Sequence, residues 1–445
     1  MIGRFPWDPF PPGTPDPKGP DPLQALVYRA AVTGADAYRS VRSALRREEG
    51  TLRIGNRFVA DGRYREVAFV ALGNAANSMA LAVLAVLDER VTQGFLAGPE
   101  PVPEEIPFRG MVVPPGWGGA EAAPSVVGAI AEIAERLRES DLLVLLLSPG
   151  AIRALGVPPP GMSAADVADL LRGAHERGAS GREVGLLARV LGPGGTGRGV
   201  VPATTRADVE TFVVERGDGA AYVGGGPTVP VRPGERVEAR ATIERVGSLA
   251  ALPPTTAELL RPGNGPLDSA APGVRRPVVV AGPPDALRSA ADTSFEKGWT
   301  ARLAALQLRE PPAAAADRFL ELAEGLVRAE PPGPDRAAKG LAAFATLTLD
   351  LPEGTDEGPP LVAFLERARE GLRRREMSVG LFRTAGTVGD ARYPPGAVVG
   401  APGDPEVRAD RAVLRGVPMR LGITDVGLLA AAVVPYHPAI GTRTA

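Results

Sequence analysis

Val67-Ala68-Phe69-Val70-Ala71-Leu72-Gly73-Asn74-Ala75-Ala76 decides the fold. Six apolar residues in an unbroken run predict a strand buried on both faces. Gly73 then turns the chain, and helical spacing runs from Ala75 to about Glu89. A strand, a glycine turn and a helix in this order open a parallel α/β sheet. Downstream, Asp141 to Leu147 repeats the buried strand and stops at Ser148-Pro149-Gly150, with a helix predicted before it over Ala123 to Arg138. Helices are predicted at about Ala164 to Gly178 and Arg182 to Leu191. Strands are predicted at Thr211 to Val214 and Ala221 to Val223, around a turn at Gly217-Asp218-Gly219.

Farther out the pattern becomes mixed. Pro277 to Ala281 reads as a strand, and Asp285 to Leu303 begins as a helix. Residues 313–330 read as a helix. Short strands follow at 341–349, 378–383 and 430–434, with a helix over Pro360 to Arg374. Upstream, Gln24 to Arg47 has helical spacing. Residues 1–22 carry eight prolines and read as an extended arm, with Phe5, Trp7 and Phe10 available to dock on the chain's own surface or on a partner. Residues 253–276 are rich in Pro and Gly and read as a linker. The expected organisation is an arm (1–22), a first domain (23–252), the linker (253–276) and a second, smaller α/β domain (277–445).

Composition narrows the chemistry. The 445 residues are 44% hydrophobic and 23% charged, with a net charge of -2, so bulk charge attracts neither nucleic acid nor anionic lipid. There is no cysteine, which excludes disulfides and thiolate-bound metals, and His175 and His437 are the only histidines, so a histidine-rich metal site is excluded too. His437, beside prolines and Tyr436, reads as structural. Of 50 basic residues only Lys18, Lys297 and Lys339 are lysine, which leaves few candidates for any step that needs an ammonium group. No apolar run approaches the roughly 20 residues needed to span a bilayer; Met79 to Leu87 is among the longest. The start lacks a secretory apolar stretch, and the expected compartment is the cytoplasm.

Several strings taken together resemble the glycerate 2-kinase family. They are Gly73-x-Ala-Ala with Met79-Ala80, Asp141 to Ser148, Pro158-Pro-Pro-Gly-Met-Ser163, Gly178-Ala-Ser-x-x-Glu183, Gly217-Asp218, Gly226-Pro-Thr228, Thr384-x-Gly386, Gly396-Ala397 and Gly441-Thr442. The resemblance runs from about residue 24 to the end. It implies a Rossmann-like N-terminal domain with a parallel sheet, a C-terminal MOFRL-like α/β domain, and a cleft between them. The cleft positions that correspond are Asn74, Ser148, Gly150, Arg189, Gly195, Asp218, Thr384 and Thr442.

At these positions the chain departs from the family pattern. Asn74 stands where the family has a lysine thought to act at the reacting phosphate, and an amide dipole replaces an ammonium charge. Ser148-Pro149-Gly150-Ala151-Ile152 replaces a serine–glycine loop, and Pro149 brings no N–H. Gly185 and Ala188 replace polar helix residues, leaving Arg189 as the one charge. Gly192 and Gly195 replace a serine and a lysine, Val214 an aspartate, Gly225 a serine. In the second domain Ala385 and Val388 replace acids, Ala343-Phe344-Ala345 a segment with a glutamate, and Arg443 an asparagine. Around Val113 to Gly118, Trp117 replaces a His-Pro motif and either plugs the old cleft or meets a partner.

Site charges are costly to hold buried without a ligand, and a chain freed from catalysis gains stability by losing them. The pattern therefore reads as a pseudoenzyme, a structural or accessory subunit with a protein partner or a second copy and no expected cofactor. Two alternatives stay open. One is an active kinase using ATP and Mg²⁺, with Arg189 or Arg198 on phosphate and Asp218 on the metal. The other is a sensor that binds a small ligand without chemistry. Each residue also has a bland role: Arg189 as a solvated helix residue, Asp218 as a turn former, Asn74 as a helix cap, and the Gly192 to Gly199 loop as a glycine loop that no longer holds an anion.

Overall fold

In the computed structural model, residues 22–113, 121–192, 205–217, 219–224, 231–247, 252–261, 275–329, 340–347, 358–372, 378–383, 396–399 and 428–435 are described. The chain begins with α1 (Pro22–Gly34) and α2 (Ala37–Ala44). The single helix expected over Gln24 to Arg47 is divided at Asp36. That residue leaves the helical region, and its carboxylate accepts from the amides of Tyr38 and Arg39, so it caps a new helix. From Leu45 the chain forms an antiparallel meander of β1 (Leu45–Glu48), β2 (Thr51–Ile54) and β3 (Arg57–Ala60).

The main sheet contains β4 (Val67–Leu72), β5 (Val91–Gly98), β6 (Arg109–Val112), β7 (Leu142–Leu147), β8 (Asp208–Val214) and β9 (Val278–Ala281). Their order is β6-β5-β4-β7-β8-β9 and every pairing is parallel. Counted from β4, this is the 3-2-1-4-5-6 order of the doubly wound dinucleotide-binding fold. Alternate residues of the central strands enter two different cores. Phe69, Leu142 and Leu146 face one side with α3 (Ala76–Leu87). Val70, Leu143 and Leu147 face the other with α4 (Ala123–Arg136). Burial on both faces is why these strands read as unbroken apolar runs.

The connections after β7 are α5 (Ala151–Ala154), α6 (Ala164–Glu176) and α7 (Gly181–Leu191); those after β8 are α8 (Ala220–Gly224), α9 (Pro233–Arg245) and α10 (Pro254–Leu259). Ala221 to Val223, read as a strand, lies in α8. A stretch that short has no period by which to tell the two apart. Helices α6, α7, α9 and α10 share a separate core around Leu187, Val190 and Ile243.

The rest of the chain comprises α11 (Pro283–Glu296), β10 (Thr300–Leu308), α12 (Pro312–Ala329), β11 (Gly340–Leu347), α13 (Gly358–Leu372), β12 (Ser378–Arg383), β13 (Gly396–Val399) and β14 (Leu428–Pro435). A second sheet orders as β10-β11-β14-β12-β13, parallel only between β10 and β11. One face meets α12 and α13 through Phe319 and Phe364. The other face, through Phe344 and Val433, joins the core that also holds Phe69 and Leu142. Helices α1 and α11 pack together in that middle layer, and the Gln24 side-chain amide donates to the Ala431 carbonyl at 3.0 Å, pinning α1 to β14.

The stretch read as a linker holds α10 and then residues 262–274, which lie outside the described set. The strand read as the first of the second domain is β9, the edge of the main sheet. The helix expected from Asp285 ends at Glu296, and β10 begins at Thr300.

Candidate functional site

In an open parallel sheet, ligands bind beyond the C-terminal ends of the strands, where the strand order reverses. Here that point lies at β4, between β5 and β7. The loops that meet there are Gly73-Asn74-Ala75 after β4, Gly98 at the end of β5 and Ser148-Pro149-Gly150 after β7.

These loops are closed on one another. The Gly73 amide donates to the Ala97 carbonyl at 2.9 Å, and the Asn74 amide donates to the Pro149 carbonyl at 2.7 Å. The Ala75 amide donates to Ser148 Oγ at 2.9 Å, and that hydroxyl donates to the Leu72 carbonyl at 3.1 Å. Ser148 has no exposed surface. Gly73 has φ +102°, and a Cβ there would stand 2.3 Å from the Ser148 carbonyl oxygen and 2.7 Å from that of Pro149. Gly150 also has a positive φ, of 99°. Asn74 stands one residue before the N-cap of α3, a position held by Ala75, whose own side chain makes no capping bond. The cap of this helix therefore comes from across the sheet, from Ser148.

Two framework strings turn out to be helix starts. Gly178 has φ +90° and ends the turn after α6, Ser180 caps α7, and Glu183 closes the capping box. Burial works to raise the Glu183 pKa, but hydrogen bonds from Ser180 and the Arg245 guanidinium at 2.7 and 2.8 Å leave it lowered. Ser163 and Asp166 make the same box at the start of α6.

Arg189, on α7, is not a solvated helix residue. Its side chain is wholly buried and its guanidinium pairs with Glu235 of α9 at 3.4 Å. A phosphate could reach it only by displacing that helix contact. The other positions, Gly195, Asp218, Thr384 and Thr442, lie outside the described residues, as do Arg198, Trp117, His437 and the arm 1–21.

Two features escape the sequence pattern. Glu100 stands two residues beyond β5, in a loop tied to α3 by the Asn77 side chain, which donates to the Pro101 carbonyl at 3.0 Å. Burial pushes the Glu100 carboxyl up to about 7. The second is a charge network at the opposite, N-terminal end of the sheet. Tyr64 donates to Asp208 at 2.7 Å, Arg57 donates to Tyr64 at 3.1 Å and pairs with Glu210, and Arg275 pairs with Glu210 at 3.1 Å. Burial raises the Glu210 pKa against the pull of Arg57 and Arg275. Burial also opposes the Arg57 charge, but Tyr64 and the carboxylates raise its pKa regardless. These residues lie far apart in sequence, so no spacing could have grouped them.

Among the described residues, no three or more metal-binding side chains come together and no helix is long and apolar enough to cross a membrane. Residues 24–261, more than half of the chain, match the family described as a domain of unknown function, DUF4147. No curated protein matches the chain. Two solved structures share its fold. The PH0495 protein of Pyrococcus horikoshii OT3 is 18% identical, with 92% of this chain and 97% of that one covered, at a TM-score of 0.66. A glycerate kinase of Thermotoga maritima is 18% identical, with 93% and 98% covered, also at 0.66.

Proposed function

The chain belongs to the DUF4147 family, and on that premise we propose that it is a glycerate-kinase-like pseudoenzyme serving as a structural or accessory subunit. One observation carries this reading: the loop after β4 is hydrogen-bonded shut against the loop after β7. Phosphate binding at a strand-to-helix turn needs free backbone N–H groups and a nearby cation. Here the Asn74 and Ala75 amides already donate to Pro149 and Ser148, and Pro149 has no N–H of its own. Asn74 brings no charge, and Arg189 is sealed against Glu235. The phosphates of ATP with Mg²⁺ do not fit this arrangement, and no phosphoryl-transfer step is derived from it.

Among the described residues both sheets keep well-filled apolar cores, which supports a scaffold role with a protein partner or a second copy. The test is release of ADP from Mg-ATP in the presence of D-glycerate by the full-length chain. The expected result is no glycerate-dependent release above background. Turnover near or above about 1 per second, ordinary for an enzyme, would overturn the proposal.

A ligand sensor is the second reading, and Glu100 favours it. A half-buried carboxyl that titrates near neutrality, in the loop next to the reversal point, could report a bound hydroxy acid through its proton. Saturable binding of D-glycerate without ADP release, lost in Glu100→Gln, would select this reading.

A further inference from the structure

Exposed apolar side chains gather where α11 gives way to β10. Among the described residues seven large apolar side chains are exposed, and three of them fall between positions 295 and 306, so the exposure is concentrated there. Phe295, in the last turn of α11, is 76% exposed, and Leu303 and Leu306 on β10 are 52% and 57% exposed. Among the described residues β10 is the outer strand of the second sheet, and its pairing with β11 is interrupted by two register shifts. A bulged edge is a poor template for another strand. These side chains are therefore suited to cover by other side chains, without backbone pairing.

The start of the chain is close by. Leu303 pairs with Phe344, and Phe344 pairs with Ala431, so the three share one rung of the sheet. The Gln24 side-chain amide donates to the carbonyl of that same Ala431. It therefore lies roughly 10 Å from the Leu303 backbone, two strand spacings away. Residues 1–21 precede this turn of α1 and carry Phe5, Trp7 and Phe10 among prolines. The stretch from Phe10 to Pro22 spans about 37 Å when extended as polyproline, enough to pass the end of α11 and reach β10. Prolines bring no N–H to a strand edge, but their rings and the aromatic side chains can cover apolar surface. We infer that this N-terminal arm folds back as a strap over Phe295, Leu303 and Leu306 of its own chain. Trp7 and Phe10 meet the exposed leucines, and Asp8 between them meets Arg302, which is exposed beside Leu303. The tether raises the local concentration of the arm, so a contact too weak to join two molecules forms within one. The strap leaves the C-terminal ends of the main sheet untouched and is independent of the reading above.

The test leaves Trp7 as the sole tryptophan of the full-length chain, with Trp117→Phe and Trp299→Phe, and follows its quenching by acrylamide. Should that variant not fold, the wild type labelled with 5-fluorotryptophan gives the same readout by fluorine NMR, its Trp7 signal assigned with Trp7→Phe. Trp7 is expected to be shielded in the folded chain and to become accessible in urea. Leu303→Ser with Leu306→Ser should lower the docking equilibrium about tenfold, since each half-exposed leucine loses part of its transfer energy. Both positions are exposed, so the melting temperature shows that the variant folds; should it not fold, Phe295→Ser replaces it. Shielding should persist through about a hundredfold dilution, because the strap is intramolecular. Trp7 as accessible in the folded chain as in urea, shielding indifferent to the β10 substitutions, or shielding lost on dilution, which would mean the arm of a second copy, would each overturn the inference.

Discussion

The two ends of the parallel sheet are built by opposite means. At the C-terminal ends, where a doubly wound fold places its ligands, the loops after β4 and β7 are joined by neutral bonds from the Asn74 and Ala75 amides to Pro149 and Ser148. At the N-terminal ends, where the fold places no ligand, Arg57, Tyr64, Asp208, Glu210 and Arg275 form a charged network that ties the meander to β8 and to the segment leading into β9. Among the described residues, charged side chains are thus concentrated at the N-terminal ends of the strands, while neutral bonds join the loops at the C-terminal ends. A scaffold retained for its shape needs the first arrangement; a catalyst of phosphoryl transfer needs charge at the second.

Four variants strain this contrast, in decreasing order of effect. Gly73→Ala places a Cβ against two carbonyl oxygens at a positive φ, and about 4 kcal/mol of stability should be lost in urea unfolding, since strain and overpacking each cost about 2. A near-neutral result would mean that the two loops are not closed. Arg57→Ala leaves the buried Glu210 with Arg275 as its remaining partner and should cost about 3 kcal/mol. A loss under about 1 kcal/mol would reduce the network to ordinary surface pairs.

Ser148→Ala removes the hydroxyl that receives the Ala75 amide, and should cost about 2 kcal/mol. Phosphate should not restore the lost stability, because one freed amide beside a proline is not an anion cradle. Recovery in phosphate would make the C-terminal end a ligand site after all.

Glu100→Gln has the smallest effect and depends on pH. The folded carboxyl titrates near 7, above its unfolded value, so the folded state binds the extra proton between the two values. Stability from this group is therefore present at pH 4 and lost as pH rises through 7. The variant should equal the wild type at pH 4 and exceed it by about 1 kcal/mol at pH 8, after allowance for solvent screening. Identical pH profiles would remove Glu100 from the account.

Legibility in the sequence followed the range of each signal. β4 and β7 were readable because burial on both faces leaves an unbroken apolar run, and α6 and α7 because Ser163 and Ser180 cap them locally. The meander was missed. Leu45–Glu48, Thr51–Ile54 and Arg57–Ala60 are short, arginine-bearing and half exposed, so no run of apolar residues marks them. β10 was missed for another reason. Thr-Ala-Arg-Leu-Ala-Ala-Leu-Gln-Leu is made mostly of helix formers, and pairing with β11 overrides that propensity. At Asn74, Ser148 and Arg189 no sequence pattern names the partners that the fold brings to them. Asn74 and Pro149 are 75 positions apart, and only the sheet brings them to 2.7 Å. Arg189 shows the same limit: its place on α7 was readable, but its burial depends on Glu235 of α9, 46 positions farther on.

The most direct test of the central claim is the thermal unfolding of the full-length chain with and without millimolar Mg-ATP and D-glycerate. A ligand that binds only the folded state must raise the melting temperature. With the Asn74 and Ala75 amides already committed to Pro149 and Ser148, the account expects the two curves to coincide. A rise of several degrees with Mg-ATP would contradict it and return the C-terminal end of the sheet to service as a nucleotide site.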